Sequence, residues 1–490
     1  MASYLRSHAE WFLLAAILLV AAGLRFSSLT GPSLTSDEVI DLDISGRALE
    51  QIWKSADGFP PLHYFLTHVA LRAGWGDNSA RILAALAGVG SVYFGYRLGN
   101  LLFGTRTALF AAGWFTIWPT AVYYSREGRA YSLYLLVATV GIWLAFRAMG
   151  SNRRGDWLIF ALAAGVGSFA HYYLGFLWLA LAVIWQMRVK RGLPVKNGII
   201  GWVLLGMLML PLLNALTYDL SENQVFLNRA DFGLGTVVFS GWALLTGFCL
   251  GPSLAELHTL VLSEAIQEIV LWIPLVLGGS LILLRELFRK GGNHEAELAI
   301  LLFVPTGLAL LTTPLIGIAY NVRYIVASLV PLLVLTARGL TIPPWERWRV
   351  VAAVLLIITC GVSNANRFWS AGHQNEDSRA AARFLERQTD HFPVLCMSHY
   401  MTEPLEHYHP GERRVIPVES VADTGENLAE VIDSIKRVVG KQGKFWLFYS
   451  RAYHGDPEGM LLKSLLSENV IEERGSWPGV RLFQGVFPSK

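Results

Sequence analysis

The sequence predicts a polytopic α-helical membrane protein that ends in a small α/β domain. Of its 490 residues, 53% are hydrophobic and only 16% are charged, which is far from the balance of a soluble enzyme. Apolar segments of membrane-spanning length recur along residues 1–365, whereas residues 366–490 are polar. The net charge is only +3, and Lys and Arg cluster beside apolar segments, so we expect no nucleic-acid partner.

A bilayer-spanning helix needs about 20 apolar residues, and this length predicts about eleven spans. They cover residues 11–28, 79–100, 106–124, 131–149, 157–170, 173–187, 199–217, 264–287, 297–316, 322–340 and 349–364. The first is predicted to be a retained helix rather than a cleaved signal, because many spans follow it. The apolar stretch 236–250 is shorter, so we predict a re-entrant or interfacial segment there.

The positions of the basic residues predict the orientation, because short cytoplasmic loops are enriched in Lys and Arg. With the N-terminus inside, every predicted inner loop is basic, and the predicted outer turns carry few basic residues. An odd number of spans then puts residues 366–490 outside the cytoplasm, on the same side as the first outer loop.

The first outer loop, residues 29–78, combines acids with amphipathic stretches. Asp37 and Glu38 follow the first span directly, and amphipathic pieces at 44–53 and 61–72 are predicted to lie at the membrane interface. A carboxylate at the exit of a span either faces water or lies in a cavity where its charge has a task. The solvated interpretation is the usual one for loop acids such as Asp41, Asp43 and Asp57, and the choice for Asp37 depends on the motifs around it.

The C-terminal region alternates helix and strand patterns, which predict a small α/β layer. Helices are predicted at 378–388, 427–439 and 457–467, and strands at 393–397, 444–449 and 480–486. The region has no glycine-rich phosphate loop and no nucleophile elbow. Its own residues therefore do not indicate a catalytic domain.

Five short motifs occur along the chain in the same order as in a known family, which they resemble. They are Ser36-Asp37-Glu38, Phe59-Pro60-Pro61-Leu62-His63-Tyr64, the run from Tyr123 to Ser132, Ala170-His171-Tyr172-Tyr173, and Asn321-Val322-Arg323-Tyr324. Together they resemble the GT-C fold glycosyltransferases that use lipid-linked sugars, and are most similar to bacterial relatives of the protein O-mannosyltransferases. The resemblance covers the membrane part, residues 1–365, and extends less distinctly to an extracytoplasmic domain at 366–490.

The resemblance implies transfer of a hexose or pentose from a polyprenyl-phosphate donor to a hydroxyl of a protein, glycan or lipid. It implies an inverting mechanism with Asp37 as general base, Glu38 as a supporting acid and Glu127 as a second functional acid. A positioned carboxylate suits this role because it takes the hydroxyl proton as the new bond forms. For Glu127, a structural ion pair with a neighbouring arginine is an equal alternative. The implied location is a bacterial inner membrane, with the active site facing the periplasm.

The predicted donor-binding residues are cationic or aromatic and lie at the outer ends of spans or in the first outer loop. They are Arg126, Arg129, Arg323, Tyr324, His171, His63 and Tyr64. Arginine suits a phosphate because its guanidinium pairs with the phosphate oxygens. The alternatives are that these arginines extend to lipid headgroups and that His171 is a structural residue. His63 departs from the family pattern, which usually has an aromatic residue there.

Two other classes of function remain open at this point. Many spans with intramembrane charge also fit a transporter or a flippase for a lipid-linked saccharide, but we find neither an internal repeat nor central acids in the later spans. A noncatalytic scaffold is the other alternative. No cofactor is implied with certainty, and the sequence leaves open whether a divalent cation takes part.

Overall fold

The computed structural model describes most of the chain. The described residues are 2–54, 59–222, 233–253, 256, 260, 262–270, 272–280, 292–316, 320–342, 347–409, 411, 413–422, 425–440 and 443–487. They form two compact units. The first comprises Met1–Leu29, Ile44–Phe248 and Leu271–Asn364, and the second comprises Thr30–Asp43, Cys249–Val270 and Ala365–Lys490.

The first unit is helical. Its principal helices are Ala2–Phe26, Leu49–Trp53, Leu62–Arg72, Ser79–Phe103, Thr105–Ile117, Pro119–Tyr124, Tyr131–Ser151, Arg154–Gly167, Leu174–Lys190, Val195–Glu222, Leu234–Thr246, Asn293–Ile316, Leu329–Thr341 and most of Arg347–Trp369, whose last residues belong to the second unit. Among the described residues, seven helical segments are long and apolar enough to cross a membrane. The chain is therefore a multi-pass membrane protein, as predicted. The number of spans and their orientation stay predictions, and part of the predicted span 264–287 lies outside the described residues.

The predicted span 106–124 is two helices instead of one. Thr105–Ile117 ends at Trp118, whose backbone is extended, and Pro119 begins the next helix. Proline favours the first position of a helix because its ring fixes φ and its missing N–H would have no partner there. The short second helix, Pro119–Tyr124, is followed directly by the loop 125–130.

The apolar stretch predicted not to span the membrane forms the helix Leu234–Thr246. Its 13 residues are fewer than the roughly 20 that a crossing requires. Carbonyl groups near its C-terminus accept hydrogen bonds from Trp118 Nε1, 2.9 Å from Leu244 O, and from Thr120 Oγ1, 2.9 Å from Ala243 O. These bonds satisfy carbonyl groups that a helix end otherwise leaves without partners.

The second unit contains a five-stranded mixed sheet. Its strands are β1 (Val394–Cys396), β2 (Val415–Pro417), β3 (Lys444–Ser450), β4 (Ile471–Trp477) and β5 (Val480–Val486). The order is β2-β1-β3-β5-β4, in which β1 pairs in parallel with β2 and β3, and β5 pairs antiparallel with β3 and β4. Successive side chains of β3 enter different cores: Phe445 and Leu447 join one, Trp446 and Phe448 the other.

Helices accompany this sheet, which confirms the predicted α/β layer. They are Ser378–Glu386, Thr402–Tyr408, Leu428–Val439 and Met460–Ser467. Every helix and strand predicted in this region is present, and the sequence patterns missed Thr402–Tyr408, β2 and β4. The helix Ser36–Gly46, which carries the acid pair, begins in the second unit. Whether residues 366–490 form a separate domain stays a prediction.

Candidate active site

A cluster of aromatic and cationic side chains forms inside the first unit. The guanidinium of Arg129 lies 4.7 Å from the ring centre of Phe59, and that of Arg323 lies 5.4 Å from the ring centre of Tyr131. The rings of Phe59 and Tyr131 are themselves 6.0 Å apart. Three of the motifs recognised in the sequence, far apart along the chain, therefore meet at one place.

His171 lies at the centre of this cluster. It follows a short 3-10 helix, Ser168–Ala170, and its ring stacks on Tyr134 with centres 4.4 Å apart. The ring of Phe59 meets it edge-on at 5.8 Å, and that of Tyr324 is tilted at the same distance. Aromatic rings thus surround the imidazole, and only 2% of the residue is exposed.

The hydrogen bonding of His171 fixes its tautomer. The backbone N–H of Tyr173 donates to Nδ1 at 3.3 Å, so the ring hydrogen is on Nε2. Among the described residues, Nε2 has no hydrogen-bond partner. Burial lowers the pKa of His171 to about 3, with the charges of Arg323 and Arg129 adding to the effect. The imidazole is therefore neutral near pH 7 and presents a buried N–H donor.

The other predicted aromatic and histidine residues support the walls of the cluster. His63 Nε2 lies 3.2 Å from the carbonyl oxygen of Gly128, so this side chain ties the helix Leu62–Arg72 to the loop 125–130. Tyr64 is buried on the same helix. Tyr324 stacks on Tyr173 with ring centres 4.5 Å apart.

Arg126 occupies a different place from Arg129, although the two belong to one motif. Its Nη1 donates to the carbonyl oxygens of Leu24 at 3.0 Å and Ser27 at 2.7 Å. These carbonyls lie at the C-terminal end of the first helix, Ala2–Phe26, where a cation also favours the helix dipole. The contacts indicate a role in capping that helix.

Glu127 is half-buried between these arginines in the loop 125–130. Its charge acts on the phenol of Tyr124, and its backbone oxygen accepts the N–H of Arg129 at 2.8 Å. It therefore lies beside the cluster, and its predicted catalytic role stays a prediction.

Several walls of the cluster were not among the predicted site residues. They are Phe59, Tyr131, Tyr134 and Tyr173. A usable signal was present, because Tyr131 and Tyr134 are three positions apart and share one face of the helix Tyr131–Ser151.

The acid pair belongs to the second unit, where its two members have different environments. Thr35 precedes the helix Ser36–Gly46; its backbone N–H donates to Glu38 Oε2 at 2.9 Å, and Glu38 N donates to Thr35 Oγ1 at 3.3 Å. This reciprocal pair is a capping box, and Glu38 is only 1% exposed. Asp37 is half-buried beside it. These contacts are those of a helix-capping residue, and the predicted roles of Asp37 and Glu38 stay predictions.

Metal binding was left open by the sequence. Within the described part of the chain, no group of three or more His, Cys, Asp or Glu side chains is arranged to hold a metal ion. The residues of the cluster are instead arginines, one neutral histidine and aromatic rings, which suit an anion better than a cation.

Solved structures show that the fold is of the GT-C class. ArnT from Cupriavidus metallidurans in the apo state matches with a TM-score of 0.55 at 14% identity, covering 98% of each chain. ArnT bound to undecaprenyl phosphate matches with a TM-score of 0.50 at 14% identity, covering 96% of this chain and 98% of that chain. AglB from Archaeoglobus fulgidus, in complex with an inhibitory peptide and a dolichol-phosphate, matches with a TM-score of 0.53 at 13% identity, covering 96% of this chain and 73% of that chain.

A family model gives a second, independent match. The model described as dolichyl-phosphate-mannose-protein mannosyltransferase matches residues 59–215, which include Arg129 and His171. No curated protein matches the chain. The predicted GT-C fold is confirmed, and both comparisons agree with the predicted class, a membrane glycosyltransferase that uses a lipid-linked sugar.

Proposed function

We propose that this chain is an inverting glycosyltransferase of a bacterial inner membrane. It moves a hexose or pentose from a polyprenyl-phosphate donor to a hydroxyl of a protein, glycan or lipid on the extracytoplasmic side. The family model at residues 59–215 and the shared fold support this proposal. Undecaprenyl phosphate in ArnT and dolichol-phosphate in AglB are lipids of the same chemistry as the proposed carrier.

The environment of His171 is the observation that carries the proposal. A buried N–H without a partner among the described residues is costly unless a ligand completes it. Arg129 and Arg323 act electrostatically on the same ring, so the N–H group of His171 lies in a positive electrostatic field. A phosphate oxygen fits both features, because it accepts from the imidazole and neutralises the arginines.

In the proposed reaction, Asp37 acts on the acceptor hydroxyl, and the cluster around His171 acts on the donor phosphate. Asp37 takes the proton of the acceptor hydroxyl while the hydroxyl oxygen bonds to the anomeric carbon. The bond between that carbon and the phosphate oxygen breaks, so the configuration inverts and polyprenyl phosphate leaves as an anion. Arg129, Arg323 and His171 stabilise the growing charge on the phosphate. General-base assistance of this kind contributes about 10²–10⁴-fold to a rate.

Asp37→Asn tests the assignment of the base. The amide cannot accept the proton at neutral pH, so we expect transfer from a radiolabelled polyprenyl-phosphate sugar to fall by about 10²–10⁴-fold in purified enzyme. Asp43→Asn is the matched control, because Asp43 is an exposed acid on the same helix and is expected to keep the wild-type rate. Wild-type transfer by a folded Asp37→Asn enzyme would refute the role of Asp37.

A further inference from the structure

A short segment that ends three residues before Asp37 is held by the C-terminal part of the second unit. We call residues Thr30–Leu34 the lead-in segment. The backbone N–H of Leu34 donates to the hydroxyl of Tyr408 at 2.7 Å, and Ser33 Oγ donates to Asp377 Oδ1 at 2.7 Å. Both Ser33 and Leu34 are only 2% exposed, so little water competes for these bonds.

Arg379 reinforces the same attachment from three directions. Its Nη1 donates to the carbonyl of Thr30 at 3.0 Å, and its backbone N–H donates to Ser33 Oγ at 3.1 Å. Its Nη2 donates to the hydroxyl of Tyr408 at 3.1 Å, and its guanidinium lies 4.9 Å from the centre of that ring. Tyr408 and Arg379 therefore hold each other as well as the lead-in segment.

A further contact comes from Asn375, in the same turn of the C-terminal region as Asp377 and Arg379. Asn375 Nδ2 donates to the carbonyl of Ser33 at 3.2 Å. Its neighbour Glu376 binds Arg451 through two bonds, Nε–Oε1 at 2.7 Å and Nη2–Oε2 at 3.2 Å. Residues 375–379 thus contact the lead-in segment on one side and Arg451 on the other.

Arg451 links this turn electrostatically to Asp37. It follows β3 with φ 45° and ψ 45°, a left-handed conformation that is strained for a non-glycine residue and persists only where the surroundings fix it. Burial by itself lowers the pKa of Arg451, but the paired Glu376 outweighs that effect and raises the pKa, with the charge of Asp37 adding to it. Arg451 thus lies within the electrostatic reach of both acids.

We propose that the C-terminal domain positions Asp37, with Tyr408 and Arg379 as the positioning residues that fix the lead-in segment. This inference rests on the proposed function, because it assumes that Asp37 is the base. The physical reason is the short reach of proton transfer: a displacement of about 1 Å at a reacting group can cost about 10²-fold in rate. A segment of five residues held at both its backbone and its side chains limits such displacement.

Tyr408→Phe is the most direct test in the full-length enzyme. It removes the acceptor of the Leu34 N–H and keeps the ring beside Arg379. We expect faster amide hydrogen exchange in peptides covering residues 30–38, a fall in kcat of about 10–100-fold, and an unchanged KM for the polyprenyl-phosphate donor. Ser33→Ala removes two other bonds of the same attachment, those of Ser33 Oγ with Asp377 and with Arg379 N. It is also expected to speed the exchange and lower kcat while the donor KM stays unchanged.

The control is Tyr449→Phe. Tyr449 donates a side-chain hydrogen bond, 3.0 Å to Asp456 Oδ2, and its contacts among the described residues do not involve the lead-in segment. We expect wild-type exchange at residues 30–38 and wild-type kcat. A loss of kcat in this variant equal to that in Tyr408→Phe would mean that general weakening of the domain explains both.

The remaining outcomes separate this inference from the proposed function. Faster exchange with wild-type kcat in Tyr408→Phe overturns the positioning role, and unchanged exchange overturns the attachment itself. A raised donor KM with unchanged kcat would place the domain in donor binding instead. If Asp37→Asn is inactive while Tyr408→Phe keeps full kcat, only the positioning role fails; if Asp37→Asn is active, the base assignment fails whatever Tyr408→Phe does.

Discussion

His171 combines two properties that seldom occur together in one side chain. It is a hydrogen-bond donor in a buried aromatic environment, and it stays neutral because burial and two nearby arginines oppose its protonation. A neutral donor can hold a phosphate both before and after the sugar has left, because its own charge does not change.

His171→Phe tests this interpretation by removing a single hydrogen-bond donor. The ring is kept and the N–H is lost, and a hydrogen bond to a charged acceptor is worth about 1.5–3 kcal/mol. We therefore expect kcat/KM for the donor to fall by about 10–100-fold in steady-state kinetics. His171→Gln keeps an N–H donor and loses the ring, so it should retain more activity than His171→Phe. The opposite order would indicate that the ring serves only packing.

The arginines of the loop 125–130 belong to one motif but have different contacts, and their predicted roles at the donor phosphate stay predictions. The sequence could assign both Arg126 and Arg129 to the donor phosphate, because both carry the right charge at the outer end of a span. Their different positions depend on the end of the first helix, whose carbonyls receive Arg126. No local pattern encodes that contact, since about a hundred residues separate the partners.

At the scale of elements, Gly247 is the residue at which the end of the helix Leu234–Thr246 packs closely against the segment that starts at Pro119. Its φ is 63°, and a Cβ at this position would lie 2.7 Å from the carbonyl carbon of Pro119. Both facts favour glycine, the first because left-handed backbone strains other residues and the second because the space is already filled. The same neighbourhood includes the bonds from Trp118 and Thr120 that satisfy the end of the helix.

Gly247→Ala is therefore expected to destabilise the protein. The left-handed backbone alone costs about 1 kcal/mol and the close approach adds to it, so the thermal midpoint in detergent should fall. Gly241→Ala is the matched control, because Gly241 lies inside the same helix with open space around its Cα. Alanine favours a helix there by up to about 1 kcal/mol, so its midpoint should hold or rise. Equal midpoints for the two variants would contradict this explanation.

The elements that the sequence patterns missed have a physical feature in common. β4 reads Ile471-Glu472-Glu473-Arg474-Gly475-Ser476-Trp477, and charged residues on an edge strand remove the alternation by which strands are recognised. β2 is only three residues long and also lies at an edge. Central β3 and β5 were predicted well, because burial on both faces leaves a strong apolar pattern.

For the whole molecule, the burial of His171 makes stability depend on pH. In the unfolded chain its pKa is about 6.5, whereas in the folded protein it is lowered to about 3. Between these values the unfolded state binds a proton that the folded state does not, so the free energy of unfolding falls as the pH drops from 6.5 towards 3. Above pH 6.5 the contribution is constant.

Thermal unfolding of the wild type and His171→Phe over this pH range would measure the effect. Carboxylates titrate in both proteins, so the difference between the two curves isolates the imidazole. We expect the wild type to lose stability more steeply than the variant on acidification. Parallel curves would show that His171 is protonated equally in the folded and unfolded states.

The attachment of the lead-in segment also has a consequence for biosynthesis. Leu34 and Tyr408 are 374 positions apart, so the ribosome makes the second about 20–75 s after the first at roughly 5–20 residues per second. If Asp37 depends on this attachment, it reaches its working position only when nearly the whole chain has been made and the C-terminal region has folded. The nascent protein would then remain inactive towards its lipid substrate during insertion. A chain truncated before Tyr408 would likewise lack transferase activity.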